Sequence, residues 1–321
     1  MNAMSDALSV STDLERISQT LGMQLFQRDW LSSNNVLFVD DAGGTALVDS
    51  GYHSHAAQTC ALVEHGLAGR PLDLLVNTHL HSDHCGGNAQ LQRRHPGVCT
   101  LIPPGQADAV RRWDLQALTY GPTGQECEPF RFDGLAQPGT ELLLGRRRWQ
   151  VHGAKGHDPH SIVLFEPMSR VLISADALWE NGFGVVFPEL EGISAFDEVA
   201  ETLDLIETLE PCLVIPGHGR AFNDIGGALE RARRRLAGFR ADPTRHLRHA
   251  QKVLLKFRLL AWQRISLDEL VSWARQTPYL ASQAPGQEAH TEAFRAWVID
   301  LLKEMEQAGA LKFDGHQVLD H

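Results

Sequence analysis

The sequence predicts an α/β fold: a four-layer αββα sandwich over residues 1–241, then a small, mostly helical domain over residues 242–321. Three observations carry this. Short apolar runs alternate with amphipathic stretches as far as residue 241. The alternation occurs in two similar halves, which two helix-covered sheets would explain. Beyond Ala241-Asp242-Pro243 helical spacing takes over until a short terminal hairpin.

In chain order, residues 22–49 read as successive short strands, with Asn35-Val36-Leu37-Phe38-Val39 and Thr45-Ala46-Leu47-Val48-Asp49 flanking the turn Asp41-Ala42-Gly43-Gly44. A helix is predicted from Ser54 to Leu67, then a buried strand at Leu72–Val76 and a helix from about Gly87 to Arg94. Pro103-Pro104-Gly105 and Gly121-Pro122-Thr123-Gly124 mark Ile102–Phe130 as a loop-rich insertion. The second half repeats the theme with a hairpin of Ile162–Phe165 and Arg170–Ser174. A helix then opens at Ser194, with Phe196, Val199, Leu203 and Ile206 as its buried stripe. In the C-terminal part, Leu247, Ala250, Leu254, Phe257 and Ala261 recur at helical spacing. Ser266-Leu267-Asp268-Glu269 has the capping-box pattern. Phe294, Trp297, Val298, Leu301, Leu302 and Met305 form an amphipathic stripe ended by Gly309, and Leu311–Leu319 reads as a hairpin.

Composition limits the function classes. With 43% hydrophobic and 21% charged residues, the chain is ordinary for a soluble globular protein. Met1–Asp13 is polar and lacks the apolar core of a signal peptide, and no run of 18 apolar residues crosses a membrane. Cys60, Cys85, Cys99, Cys127 and Cys212 are odd in number and scattered, which suits reduced thiols and a cytoplasmic location. The net charge of −11 opposes nucleic-acid binding in general. Between Arg220 and Arg258, however, eleven Lys or Arg face only Asp224, Glu230 and Asp242, a local excess of +8 that reads as a solvated helix face or an anion-binding patch.

The chemistry concentrates at Thr78-His79-Leu80-His81-Ser82-Asp83-His84-Cys85-Gly86-Gly87, where four candidate metal ligands fall within six residues after a buried strand. Imidazole nitrogen and carboxylate oxygen suit borderline cations such as zinc. His79 and His81 point the same way if the chain is extended there, and the adjacent Asp83 and His84 suit a second ion. Cys85 reads as a small apolar residue instead.

This pattern resembles the His-x-His-x-Asp-His motif of the metallo-β-lactamase-fold superfamily, which includes glyoxalase II-like thioesterases, lactonases and RNase Z-type nucleases. The resemblance extends over roughly residues 20–240. It matches His157 in Gly156-His157-Asp158-Pro159-His160-Ser161, Asp176 at the end of an apolar strand, and His218 in Pro216-Gly217-His218-Gly219. It implies two divalent ions, zinc by default with iron or manganese also accepted. His79, His81 and His157 would hold one, Asp83, His84 and His218 the other, and Asp176 would bridge them, so that Asp83 and Asp176 are the catalytic carboxylates. The ions would share a water, lower its pKa and direct the resulting hydroxide at an acyl carbon or phosphorus. The C-terminal elements resemble the winged-helix-like appendage of some members, which would frame the pocket or form a homodimer.

The favoured substrate is a small-molecule thioester or carboxylic ester, lactones included. An RNA or phosphodiester nuclease is the second reading, supported by the basic stretch, and a metal-binding effector without activity is the third. The family's oxygen-reducing branch carries Glu where His81 stands, which disfavours redox chemistry. The lack of an export signal and the bridging Asp176 argue against a secreted β-lactamase. Trp179, Phe183 and Phe187 are candidate pocket walls, with core packing the alternative for Trp179 and Phe187; His160 could line the pocket or be structural, and Asp158 reads as a turn residue. His53, His55, His65, His95, His152, His246, His249, His290, His316 and His321 have no patterned partners and read as surface or packing residues.

Overall fold

The computed structural model describes residues 14–41, 44–284 and 291–321. The expectations for Met1–Asp13, for Ala42 and Gly43 in the first turn, and for His290 lie outside the described residues.

Two sheets form the body. The first runs β1-β2-β3-β4-β5-β6, built from Met23–Phe26, Asn35–Asp40, Gly44–Val48, Leu74–Val76, Cys99–Ile102 and Gly134–Leu135. The second runs β11-β10-β9-β8-β7, from Leu213–Pro216, Val171–Ala175, Ile162–Glu166, Arg147–Gly153 and Glu141–Leu144. The period-two alternation of strands decides how they stack. Val36, Phe38, Val48 and Val76 point into one apolar cluster with Trp149, Val151, Leu164, Ile173 and Ile215 of the other sheet. Their neighbours Leu37, Leu47 and Leu75 point outward, onto Cys60, Val63 and Leu67 of α1 (Ala56–Leu67) and Leu91. On the far side Val163, Phe165, Leu172 and Val214 pack on α4 (Phe196–Leu209) and α5 (Ile225–Ala241). The layers are therefore αββα. Between α1 and α4 the chain forms α2 (Ser82–Cys85) and α3 (Asn88–Arg94).

Asp242 joins α5 to α6 (Pro243–Trp262), its carboxylate accepting the Thr244 N–H at 3.1 Å with Pro243 in the first helical turn. The capping box forms at α7 (Leu267–Gln276), where Ser266 and Glu269 exchange hydrogen bonds. With α8 (Thr291–Gln307) and the small sheet of β12 (Arg264–Ser266), β13 (Leu311–Phe313) and β14 (Gln317–Asp320), these helices enclose Leu254, Leu270, Val298, Leu301 and Val318. None of the described helices is long and apolar enough to cross a membrane.

Local expectations shift in three places. The helix expected at Ser54 begins as a 3₁₀ turn, His53–His55, before α1. The helix expected at Ser194 starts at Phe196, because its first N–H groups find a distant cap: Glu189 Oε1 accepts from Ala195 N at 2.6 Å and Phe196 N at 3.0 Å. The Ile102–Phe130 insertion contains the short helices Pro104–Gln106, Ala107–Arg112 and Tyr120–Thr123, held by a cluster of Ile102, Val110, Leu118, Tyr120 and Phe130.

Candidate metal centre

All seven candidate ligands come from segments that leave strand ends on one edge of the sandwich. Strand β4 runs into Asn77–His81, and α2 places Asp83 and His84 on the next turn. Asp176 directly follows β10 and His218 follows β11, while His157 sits in the loop between β8 and β9. Glycines allow the close approach: a Cβ on Gly184 would meet His157 Nδ1 at 2.3 Å, and one on Gly217 would meet Asp176 Oδ1 at 2.2 Å. Ala175, just before Asp176, and Asp49 both adopt the left-handed region, with φ 46° and 58°. Non-glycine residues are uncommon there and gather at functional sites.

The ligand atoms form two groups, His79, His81 and His157 in one and Asp83, His84, Asp176 and His218 in the other, each with its atoms within 4.8 Å of one another. Tautomers follow from the surrounding hydrogen bonds. His157 Nδ1 lies 2.6 Å from the Val185 carbonyl, which can only accept, so that nitrogen carries the proton and Nε2 presents a lone pair. Thr78 Oγ1 donates to Asp49 Oδ2 at 2.7 Å and is left to accept from His79 Nδ1 at 3.2 Å, so His79 Nε2 is bare as well. The two bare Nε2 atoms face each other at 3.3 Å, and His81 Nδ1 approaches His79 Nε2 at 3.1 Å. His81 Nε2 is turned toward Asp158, 3.7 Å away. Converging imidazole lone pairs repel unless a cation lies between them, so this donor set fits a metal ion.

In the second group, His218 Nε2 lies 3.0 Å from Asp83 Oδ2 and His84 Nε2 lies 3.4 Å from Asp176 Oδ1. The other Asp176 oxygen is 3.4 Å from His157 Nε2 of the first group, so this carboxylate spans both. His84 Nε2 and His218 Nδ1 are buried without hydrogen-bond partners among the described residues.

A family profile for the metallo-beta-lactamase superfamily matches residues 28–218, more than half of the chain. The chain belongs to this superfamily. Acyl-coenzyme A thioesterase MBLAC2 from Homo sapiens is 29% identical over 167 residues, covering 48% of this chain and 58% of the relative. A hydroxyacylglutathione hydrolase from Synechococcus sp. (strain JA-3-3Ab) is 28% identical over 188 residues, covering 55% and 65%. The match thus spans less than two-thirds of either relative's length. A crystal structure of a metallo-beta-lactamase family protein from Thermus thermophilus has the same fold, with a TM-score of 0.55 and 19% identity over 94% of this chain and 99% of the other.

The electrostatics of the candidate site separate the two groups. Burial, reinforced by the neighbouring imidazoles, pushes the His79 pKa well below its ordinary value and that of His81 down to about 4, so both are neutral at pH 7 and ready to bind a cation. Burial disfavours a charged His84 too, but Asp49 and Asp176 outweigh it and hold its pKa well above the ordinary value. For Asp176 burial is likewise outweighed, by His218 and His84, which keep it ionised.

Beside the ligands lies a cavity of about 710 Å³. Trp30, Trp179 and Phe187 line it next to the metal groups, and α6 closes it with Val253, Leu254, Phe257 and Leu260. Trp30 stacks on His218 with centroids 5.5 Å apart and planes 8° apart; Trp179 meets the same ring edge-on at 5.6 Å and donates Nε1–H to Asp176 Oδ1 at 3.2 Å. Phe187 meets His81 at 4.7 Å and His157 at 5.7 Å.

Two expectations need correcting, those for Phe183 and His249. Phe183 is fully buried beneath the wall and does not line the cavity. His160 is not in the lining either; its ring packs so closely over Gly105 that a Cβ there would meet Nδ1 at 1.9 Å. His249, expected to be an ordinary residue, does line the cavity. Asp158 holds the turn by accepting the His160 N–H at 2.7 Å, and also lies beside His81. Cys85 belongs to neither ligand group and contacts Tyr120 Oη at 3.1 Å. Asp49 and Trp30 were not singled out from the sequence, whereas α6 borders the pocket as expected of the C-terminal elements. Asp49, at the end of β3 in the spacing Val48-Asp49-Ser50-Gly51, was open to the same strand-end argument as Asp176.

Proposed function

We propose that the protein is a dinuclear metal-dependent hydrolase of a small-molecule thioester or carboxylic ester, lactones included. The observation that carries this is a largely apolar cavity opening directly onto two converging ligand groups. His79, His81 and His157 would hold one cation and Asp83, His84 and His218 the second, with Asp176 shared. Zinc is the default for this donor set, and iron or manganese are also compatible with it. Bound cations supply Lewis acidity toward a carbonyl oxygen and lower the pKa of water.

The chain's own residues prepare the site. Val185 O and Thr78 fix the tautomers of His157 and His79, and Asp49 orients His84. The Trp179 N–H steadies Asp176. Trp30, Trp179 and Phe187 keep bulk water from the histidines and offer apolar faces to an acyl chain, a setting in which the site's charges act more strongly. Water is the nucleophile in this reading: Cys85, the thiol nearest the motif, is buried against Leu80, His81 and Tyr120 and takes no part in the cavity lining.

The relatives named above are, by name, an acyl-coenzyme A thioesterase and a hydroxyacylglutathione hydrolase, which supports an acyl substrate. The nuclease reading loses its main support, because most of the basic stretch is already paired: Arg231 with Asp224, Arg233 with Asp204 and Glu207, Arg234 with Glu230, Arg240 with Asp197, and Arg248 and Lys252 with Glu304. A panel of thioesters, lactones, phosphodiesters and a chromogenic β-lactam, assayed on protein of measured metal content, tests the proposal. Turnover of phosphodiesters alone would overturn it.

A further inference from the structure

One arginine of α5 is treated differently from its neighbours. Arg231, Arg233 and Arg234 all face carboxylates, whereas no carboxylate among the described residues pairs with Arg235, which lines the cavity. Its guanidinium is held by other means. Cζ lies 5.5 Å from the Phe183 ring and 5.4 Å from the Phe239 ring, and Nη2 is 2.5 Å from His249 Nε2. Gly182 makes room for it: a Cβ there would meet Nη1 at 2.6 Å, and the backbone adopts φ 127°.

His249 does not neutralise this charge. Burial, then the Arg235 charge, lowers the His249 pKa to about 3, so its imidazole is neutral at pH 7 and accepts the Arg235 hydrogen bond without acting as a counter-ion. Burial also lowers the Arg235 pKa, yet an arginine remains protonated in proteins. Drawing a guanidinium largely out of water without an opposite charge is costly, and a ligand anion would relieve that cost. The other cations of the wall are differently placed: Lys256 is paired with Asp320, and Arg220 is exposed.

We propose that Arg235 binds a carboxylate carried by the substrate. Its planar fork suits a carboxylate oxygen pair, and its place in the wall puts that anion in the same cavity as the scissile bond. The proposal rests on the hydrolase reading above and narrows it: the favoured substrate is an acyl thioester or ester that bears a carboxylate on either its acyl or its thiol part.

The test uses two pairs of thioesters on the metal-loaded enzyme. One pair has a six-carbon acyl chain ending in carboxylate or carboxamide on a neutral thiol. The other has hexanoyl on thioglycolate or on thioglycolamide. The wild type is expected to favour the carboxylate member of one pair by about tenfold or more in kcat/KM, mainly through KM, and the preferred pair identifies which part carries the anion. In Arg235→Gln that ratio falls toward one, and Arg235→Lys retains part of it. Circular dichroism and Tm verify that each variant is folded. Ratios near one in the wild type for both pairs, or a ratio unchanged in a folded Arg235→Gln, overturn the proposal. If no thioester is turned over, that result counts against the thioester substrate and not against the carboxylate site. Calorimetry with hexanoate and hexanamide on metal-free protein then still decides: hexanoate binding that Arg235→Gln abolishes supports the carboxylate site, and equal binding by both proteins refutes it.

Discussion

Asp49 Oδ2 lies 2.8 Å from His84 Nδ1, while the same carboxylate accepts the Thr78 N–H at 2.8 Å and the Thr78 hydroxyl at 2.7 Å. One side chain at the end of β3 thus orients His84 directly and, through Thr78, His79. An Asp49→Asn variant would put an amide against these donors and remove the charge that keeps His84 in place. Metal affinity, read by competition with a chromophoric chelator, should fall about 10–100-fold. Unchanged affinity in a folded variant would remove Asp49 from this role.

Asp176 reaches both ligand groups, with oxygens 3.4 Å from His84 Nε2 and 3.4 Å from His157 Nε2. Elemental analysis of reconstituted protein should therefore approach two ions per chain. Asp176→Asn keeps the shape but loses the charge between the cations, and should retain metal weakly and lose most hydrolysis. A reproducible single ion in the wild type would contradict the dinuclear proposal.

Arg233 and Arg234 lie on the solvent side of α5 in ion pairs with Asp204, Glu207 and Glu230. Exposed pairs of this kind contribute little. The double change Arg233→Gln, Arg234→Gln should shift Tm by less than about 4 °C and leave turnover and its salt dependence near the wild-type values. A steep salt dependence abolished by the double change would revive the polyanion reading.

His246 is buried between Phe196 and Phe239, and its Nε2 accepts the Val186 N–H at 3.1 Å. Burial and then the Arg235 charge depress its pKa to about 4. The unfolded chain therefore binds a proton near pH 6.5 that the folded protein refuses, and stability falls as pH drops from 7 toward 4. Between pH 7 and pH 5 this histidine should cost about 2 kcal/mol. His246→Gln can keep the Val186 hydrogen bond; it should be less stable at pH 7 but lose less on acidification, as denaturant unfolding at the two pH values would show. Parallel losses in both proteins would refute the assignment.

The motif from His79 to His84, and the strand ends before Asp176 and His218, were legible because metal ligands require particular side chains at particular spacings. The sandwich was legible from period-two apolar alternation, as in Val36, Leu37 and Phe38, which send alternate side chains to the inter-sheet core and to α1. Long-range partners were not legible. Glu189 moved the start of α4 by capping it from outside the helix, and nothing in the local sequence around Ser194 reports that. Likewise Arg233, Arg234 and Arg235 look alike as a run; only the helical rotation, which turns Arg235 into the cavity wall while the other two meet acids, tells them apart. His249 reads as one more histidine until α6 is folded over the same cavity.

Phe187 stands between the ligand groups and the C-terminal helices, meeting His81 at 4.7 Å and stacking near Tyr279 at 6.2 Å. Trp179 stands on the opposite side, against His218 and Trp30. Both rings line the cavity beside the ligand groups, where an acyl chain would lie. Phe187→Ala should therefore enlarge the accepted acyl group, changing the ratio of kcat/KM between two chain lengths by about 10–200-fold per methylene, the range of apolar pocket discrimination. Trp179→Phe keeps a ring but removes the N–H that holds Asp176, so it should lower kcat while changing chain-length preference less. The contrast is the measurement: thioesters of two to ten carbons are assayed with both variants. If both variants lower all chain lengths by one common factor, neither ring shapes the acyl site, and the substrate enters along another wall.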